Sequence, residues 1–105
     1  MRLPWYPVLV HGPSMAPTLR HGDALLVRRT RRVRVGDVVV GRFRGRPELL
    51  VVKRAARREG TGWWLLGDNI LVTDDSRAYG IADVDGKVVL RWWPRPARIR
   101  PAPGV

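Results

Sequence analysis

At 105 residues with no cysteine, the chain suits one packed domain and excludes disulfide staples, thiol nucleophiles and cysteine-ligated zinc. Twenty basic residues against nine acidic give a net charge of +11, yet eighteen of the twenty are arginine, scattered along the chain. Such a charge would suit nucleic acid, an anionic membrane surface or an acidic partner. No helix-turn-helix pattern, zinc-finger spacing or RNP-type motif accompanies it, so nucleic-acid binding is not expected to be the main activity.

Apolar residues make up 45% of the chain and arrive as short β-branched and aromatic runs separated by Gly, Asp and Arg, the pattern of a compact β protein. The first run, residues 3–10, holds two prolines and falls far short of the ~20 residues that cross a bilayer. It also lacks the layout of a cleavable signal peptide. The chain therefore reads as soluble and cytoplasmic, and the initial Met argues mildly against a removed upstream anchor. Strands are predicted over residues 5–10, 24–29, 37–43, 48–57, 62–66 and 87–93. Between them lie the turn signals Arg34-Val35-Gly36-Asp37, Arg44-Gly45-Arg46-Pro47, Glu59-Gly60-Thr61-Gly62 and Asp85-Gly86. No segment carries a sustained 3.6-residue stripe, so helix is expected only as single turns over 16–20 and 81–84. The pairs Trp63-Trp64 and Trp92-Trp93 read as alternating inside and outside positions on strands. The last twelve residues contain four prolines and should fray or lie extended. The expected organisation is one domain over 1–94 with a Pro/Arg-rich tail over 95–105.

Two residues stand out chemically. Ser14 sits in Gly12-Pro13-Ser14-Met15-Ala16-Pro17, where a Gly-Pro step before it and a proline after hold the backbone in a bend. A serine there is either a turn residue bonding its own backbone or a nucleophile presented at a cleft. Lys53 is one of only two lysines. It ends the run Glu48-Leu49-Leu50-Val51-Val52-Lys53, whose alternation sets Leu49, Val51 and Lys53 on one face and Leu50 and Val52 on the other. Both faces are apolar, so the strand is expected to be covered on both sides. Arginine cannot give up its proton in a protein, whereas a desolvated lysine can. Keeping lysine neutral at pH 7 from its ordinary pKa costs about 4.6 kcal/mol, a shift that burial can supply. A lysine snorkelling from a strand end is the plainer alternative. Together, an exposed serine and a buried lysine point to the serine–lysine variant of nucleophilic catalysis.

These residues and their surroundings resemble the signal peptidase I-like serine–lysine peptidases. Ser14-Met15-Ala16-Pro17-Thr18-Leu19 followed by Gly22-Asp23 is similar to the family's serine box. Val35-Gly36-Asp37-Val38-Val39-Val40, then Val51-Val52-Lys53-Arg54, then Gly67-Asp68-Asn69 with Asp75-Ser76-Arg77 and Gly80 follow in the family's order. The resemblance implies a compact, mainly β fold of the signal peptidase/LexA type, with short antiparallel strands and at most short helical turns. It makes Ser14 the nucleophile and Lys53 the general base, with Thr73 orienting the amine and Asp75 and Arg77 forming a bracing charged pair. The Ser14 backbone N–H would be one oxyanion donor. Several members add a hydroxyl two residues before the nucleophile as a second donor, but this chain has Gly12 there.

Only thirteen residues separate Lys53 from Gly67, so the large insertion of many bacterial members is absent. The short, arginine-rich form is similar to the proteases that mature nickel-type superoxide dismutase. That likeness implies removal of an N-terminal propeptide, with processing of another precursor or an idle interaction module of the same fold as alternatives. The substrate is expected to bind as an added strand, near Gly12 and against walls at Met15 and Leu49. No cofactor is implied. His11 and His21 flank the serine, but two histidines without ligand spacing do not make a metal site, and neither is expected to act catalytically.

Overall fold

The computed structural model describes residues 3–102. Its strands are β1 (Trp5–Leu9), β2 (Ala24–Arg29), β3 (Val38–Phe43), β4 (Arg46–Glu59), β5 (Gly62–Leu66), β6 (Ala82–Trp93) and β7 (Ala97–Arg98), with one helical turn, α1 (Ser76–Tyr79), between β5 and β6. Every pairing is antiparallel, in the order β1-β2-β6-β3-β4-β5, with β7 pairing with the later part of β6 off this path. The mainly β antiparallel architecture expected from the sequence is the one formed.

Two long strands bend the sheet. β4 pairs through Arg46 to Arg54 with β3 and through Arg54 to Glu59 with β5. β6 pairs with β3 near its start and with β2 over its later residues. Ala82 faces Phe43 on β3 and Trp63 on β5. The pairings β3–β4–β5–β6–β3 thus return to their starting point, and these four strands close into a small barrel.

Alternation along β3 builds a core on each side. Val38 and Val40 join Val10, Met15, Leu19, Leu25, Val27 and Val88. Val39 and Phe43 join Ala55, Trp63, Leu65 and Ala82 inside the barrel.

Several sequence expectations need correction. Asp85-Gly86 is not a turn but lies within β6. A Cβ at Gly86 would stand 2.6 Å from Val27 Cγ1, so this glycine permits a close strand approach rather than a reversal. Residues 82–84 of the expected turn at 81–84 belong to that strand. The helical turn forms instead at Ser76–Tyr79, where the Asp75 side chain accepts from the Arg77 N–H as an N-cap. Residues 16–20 make a turn whose one helical bond runs from the Leu19 N–H to the Met15 carbonyl, 2.9 Å. β4 is not covered on both sides throughout, because Leu49 and Leu50 are 37% and 38% exposed. Trp92 and Trp93 are both exposed, whereas Trp63 is buried. The tail lies extended: beyond β7, Ile99 and Ala102 donate to Val89 O and Gly36 O. Residues 103–105 of the tail fall outside the described residues.

Candidate active site

Ser14 lies on the connection between β1 and β2. The base of this loop is closed by Val10 N–H to Asp23 O and Gly22 N–H to Val10 O, both 2.9 Å. Its floor is apolar, since Met15 and Leu19 are buried in the first core. Gly12 adopts φ +82 with open space where a Cβ would be, and its N–H donates to His21 Nδ1 at 2.9 Å. Left-handed backbone at this point suits glycine. The His21 ring in turn stacks edge-on against His11, their centroids 5.8 Å apart.

The segment after β5 grips this loop from outside. Asn69 donates its backbone N–H to Ser14 O at 2.9 Å and its side-chain amide to Pro13 O at 3.0 Å. Asp68 accepts from the Thr18 hydroxyl at 2.6 Å and from Arg54 Nε at 3.1 Å. Against the cost of its burial, the Arg54 and Thr18 hydrogen bonds hold the Asp68 carboxyl below the usual carboxylate range. One carboxylate thereby ties the serine loop to β4 beside Lys53.

Asp75, fully buried, holds the next turn. It accepts from Gly67 N–H at 2.9 Å and from Arg77 through Nε at 2.9 Å and Nη2 at 2.7 Å. These bonds offset its burial and keep its carboxyl below the usual range. Asp75 and Arg77 are thus paired as the resemblance implied. Ser76 Oγ accepts from Leu65 N–H at 2.8 Å, fastening α1 to β5.

Between β1 and the first half of β4 runs an open groove of about 550 Å³. Ser14, Lys53, Gly12 and Leu49 all line it. Lys53, facing Val39 across the β3–β4 ladder, is only 4% exposed. Burial holds its amine below the ordinary lysine value, against the opposing pull of the Asp74 and Asp75 carboxylates. A lysine so placed can release its proton more readily than a solvated one. The groove therefore sets a hydroxyl and a desolvated amine on one lining, the residue types needed for general-base activation of serine.

Two site expectations are not met in position. Met15 does not form a groove wall, because it is 1% exposed in the core beneath the loop. Thr73 is exposed and lies off the groove lining, which takes Val72 and Asp74 from that segment instead. Asp74 escaped the sequence reading; its only signal was an acid standing next to the Asp75-Ser76-Arg77 box. Among the described residues no group of three His, Cys, Asp or Glu could hold a metal ion. No helix among them is long and apolar enough to cross a membrane.

Comparison with known proteins places the chain in a family. The model of a family described as Peptidase S24-like covers residues 4–89. The mitochondrial inner membrane protease subunit 1 of Xenopus tropicalis is 32% identical over 114 residues, spanning 83% of this chain and 68% of that protein. The mitochondrial ATP-independent inner membrane protease subunit 1a of Arabidopsis thaliana is 33% identical over 81% of this chain and 68% of its own length. The subunit 1 protein of Schizosaccharomyces pombe is 34% identical over 84% and 73%. With the matched span covering the serine loop, β4 and the Asp75 turn, the chain belongs to the Peptidase S24-like family.

Proposed function

We propose that this protein is a serine endopeptidase in which Lys53 is the general base for Ser14. The observation that carries the reading is the near-complete burial of Lys53 on the groove that Ser14 lines. In the attacking step the Ser14 hydroxyl proton passes to the neutral amine, and Oγ bonds to the substrate carbonyl carbon. The Ser14 backbone N–H has no acceptor among the described residues, which suits it to meet the oxygen that becomes negative. As the tetrahedral species collapses, the peptide C–N bond breaks and the lysine ammonium protonates the departing amine. Water then repeats the sequence on the acyl-enzyme, releasing the acid and free Ser14.

The substrate chain enters as an extended strand. Among the described residues β1 pairs only with β2, and β4 from Arg46 to Lys53 only with β3. Both therefore present free backbone edges along the groove, at Pro7–Leu9 and at Leu49–Val52. An extended peptide can hydrogen-bond to such edges while its alternate side chains enter the groove. Leu49 supplies an apolar wall.

The relatives' names support a protease, and processing of a precursor protein rests on the resemblance to the signal peptidase I-like family. The finer substrate, the propeptide of a nickel-type superoxide dismutase, rests on the resemblance of the short form without the insertion. Incubation with that precursor, followed by mass measurement of the product, tests it against an unrelated precursor carrying small residues at its cleavage site. Cleavage of the second alone would transfer the activity to another precursor. Ser14→Ala and Lys53→Arg should each abolish cleavage with the fold retained. Lys53→Arg keeps the positive charge and removes the base, so normal turnover in that variant would end the mechanism.

A further inference from the structure

The groove carries a charge unlike that of the rest of the molecule. Of the nine acidic residues, eight lie within ion-pair distance of an arginine or lysine. Asp74 is the ninth. It forms no ion pair with any described residue, although twenty basic residues are available in the chain. It is exposed and lines the same groove as Ser14 and Lys53. The nearby walls contributed by Val8, Leu9, Leu49 and Val51 are apolar.

A cationic group approaching this protein meets repulsion over most of its surface, because the net charge is +11. Asp74 is the local exception, and apolar walls on one side of a carboxylate strengthen its attraction for a partner cation. We propose that Asp74 is a specificity-determining residue that receives a cationic group of the substrate close to the scissile bond. The group is an arginine or lysine side chain or the free α-amino terminus of a short propeptide.

The contact would also act on the base. Two carboxylates, Asp74 and Asp75, act on the charge of Lys53, and Asp75 is already matched by Arg77. Asp74 is the unmatched charge that favours the lysine ammonium. A substrate cation laid against Asp74 withdraws that support, so the same contact that selects the substrate makes the amine a more available proton acceptor.

The proposal rests on the peptidase reading above, and the test separates the two. Alanine-rich fluorogenic peptides carrying one Arg, Gln or Glu at successive positions, each with a free or acetylated amino terminus, are compared by kcat/KM. Arg should exceed Gln at one position, or a free amino terminus exceed an acetylated one, by about two- to five-fold, the upper part of the range for an exposed ion pair. If acetylation lowers kcat/KM alike for the Arg and Gln peptides, the α-amino group is the cation bound; if the Arg/Gln ratio persists after acetylation, the side chain is. Asp74→Asn should bring the Arg/Gln ratio to about one, and Asp74→Lys should turn the preference toward Glu, which a merely structural role would not do. In the wild type, no dependence on Arg at any position and none on a free amino terminus, or a dependence that survives Asp74→Asn, would overturn the proposal. Peptide binding to Ser14→Ala, read by fluorescence anisotropy, gives the second measurement. Asp74-dependent binding of the Arg peptide without cleavage by the wild type sinks the peptidase reading and leaves the cation site standing. Cleavage without preference does the reverse.

Discussion

Gly67→Ala isolates the contact between the segment after β5 and the nucleophile. Gly67 is not among the glycines with positive φ, so alanine is admissible on backbone grounds and the obstacle is space. The added methyl would stand 2.6 Å from the Ser14 carbonyl oxygen and 3.5 Å from Ser14 Cβ. Carbon and oxygen rest at about 3.3–3.6 Å in close backbone contacts, so one side must retreat by about 0.7 Å or more. The Ser14 carbonyl is held by Asn69 N–H at 2.9 Å, and Gly67 N–H is held by Asp75 at 2.9 Å, so retreat on either side strains a hydrogen bond. Overpacking of this kind costs about 1–3 kcal/mol, against a typical domain stability of about 5–15 kcal/mol. The variant should therefore remain folded at 25 °C while its melting temperature falls by about 5–15 °C. A displacement approaching 1 Å at a nucleophile can cost about 100-fold in rate. Expected is a fall in kcat/KM of about 10- to 100-fold at 25 °C, measured by mass-resolved peptide cleavage beside a circular dichroism melt. Wild-type turnover in Gly67→Ala would refute the idea that this glycine seats the serine loop.

Lys53→Met should abolish turnover and raise the melting temperature at neutral pH, a trade of stability for function. Burial depresses the Lys53 value below its ordinary 10.5, so the unfolded chain binds the proton more tightly and wild-type stability climbs as pH rises from the depressed folded value toward 10.5. The advantage of Met is thus largest at acid pH and narrows toward alkaline pH; calorimetric melts at several pH values check it, and a lower melting temperature for Lys53→Met at neutral pH would contradict it. The acid limb of the kcat/KM profile should move in opposite directions in two variants. Asp74→Asn, which removes a charge favouring the ammonium, shifts it to lower pH, while Arg77→Gln, which leaves Asp75 uncompensated, shifts it to higher pH. A change in plateau without movement of the limb would mean that neither carboxylate tunes Lys53.

Strands β2 and β5 were legible to the residue, because β-branched and aromatic runs there are bounded by Gly and Asp. The start of β6 was not, because Asp83, Asp85 and Gly86 carry the chemistry of a turn. In the fold those carboxylates are met from neighbouring strands and loops, Asp83 by Arg44 and Asp85 by Tyr6 and Arg29. Long-range pairing therefore overrides local preference. Helix α1, only four residues long, is too short for any periodicity, and its one signal was Asp75 as a cap. The odd lysine among arginines was enough to single out Lys53, and its low exposure agrees with that reading. The exposure of Leu49 and Leu50 was hidden, because apolar residues bordering a groove read like core residues. Which of the neighbours Thr73 and Asp74 meets the groove depends on the path of an aperiodic loop, and no pattern along the chain encodes it.

The charge pattern makes sense of the arginine excess around this site. A lysine can be held neutral only where burial outweighs nearby carboxylates, yet the turn that seats Ser14 needs Asp75 to accept from Gly67 N–H. Arg77 resolves the conflict by matching Asp75 through two guanidinium nitrogens, so the buried acid can build the turn while exerting less pull on Lys53. Arg54 does the same for Asp68, which accepts from Thr18. Arginine suits both posts because it stays charged and forks onto a carboxylate, whereas a lysine would offer a single ammonium and a second titrating amine near the base. Around Ser14, then, arginines fix carboxylates that fix backbone, and the Lys53 amine, its proton affinity depressed by burial, lies in the groove itself.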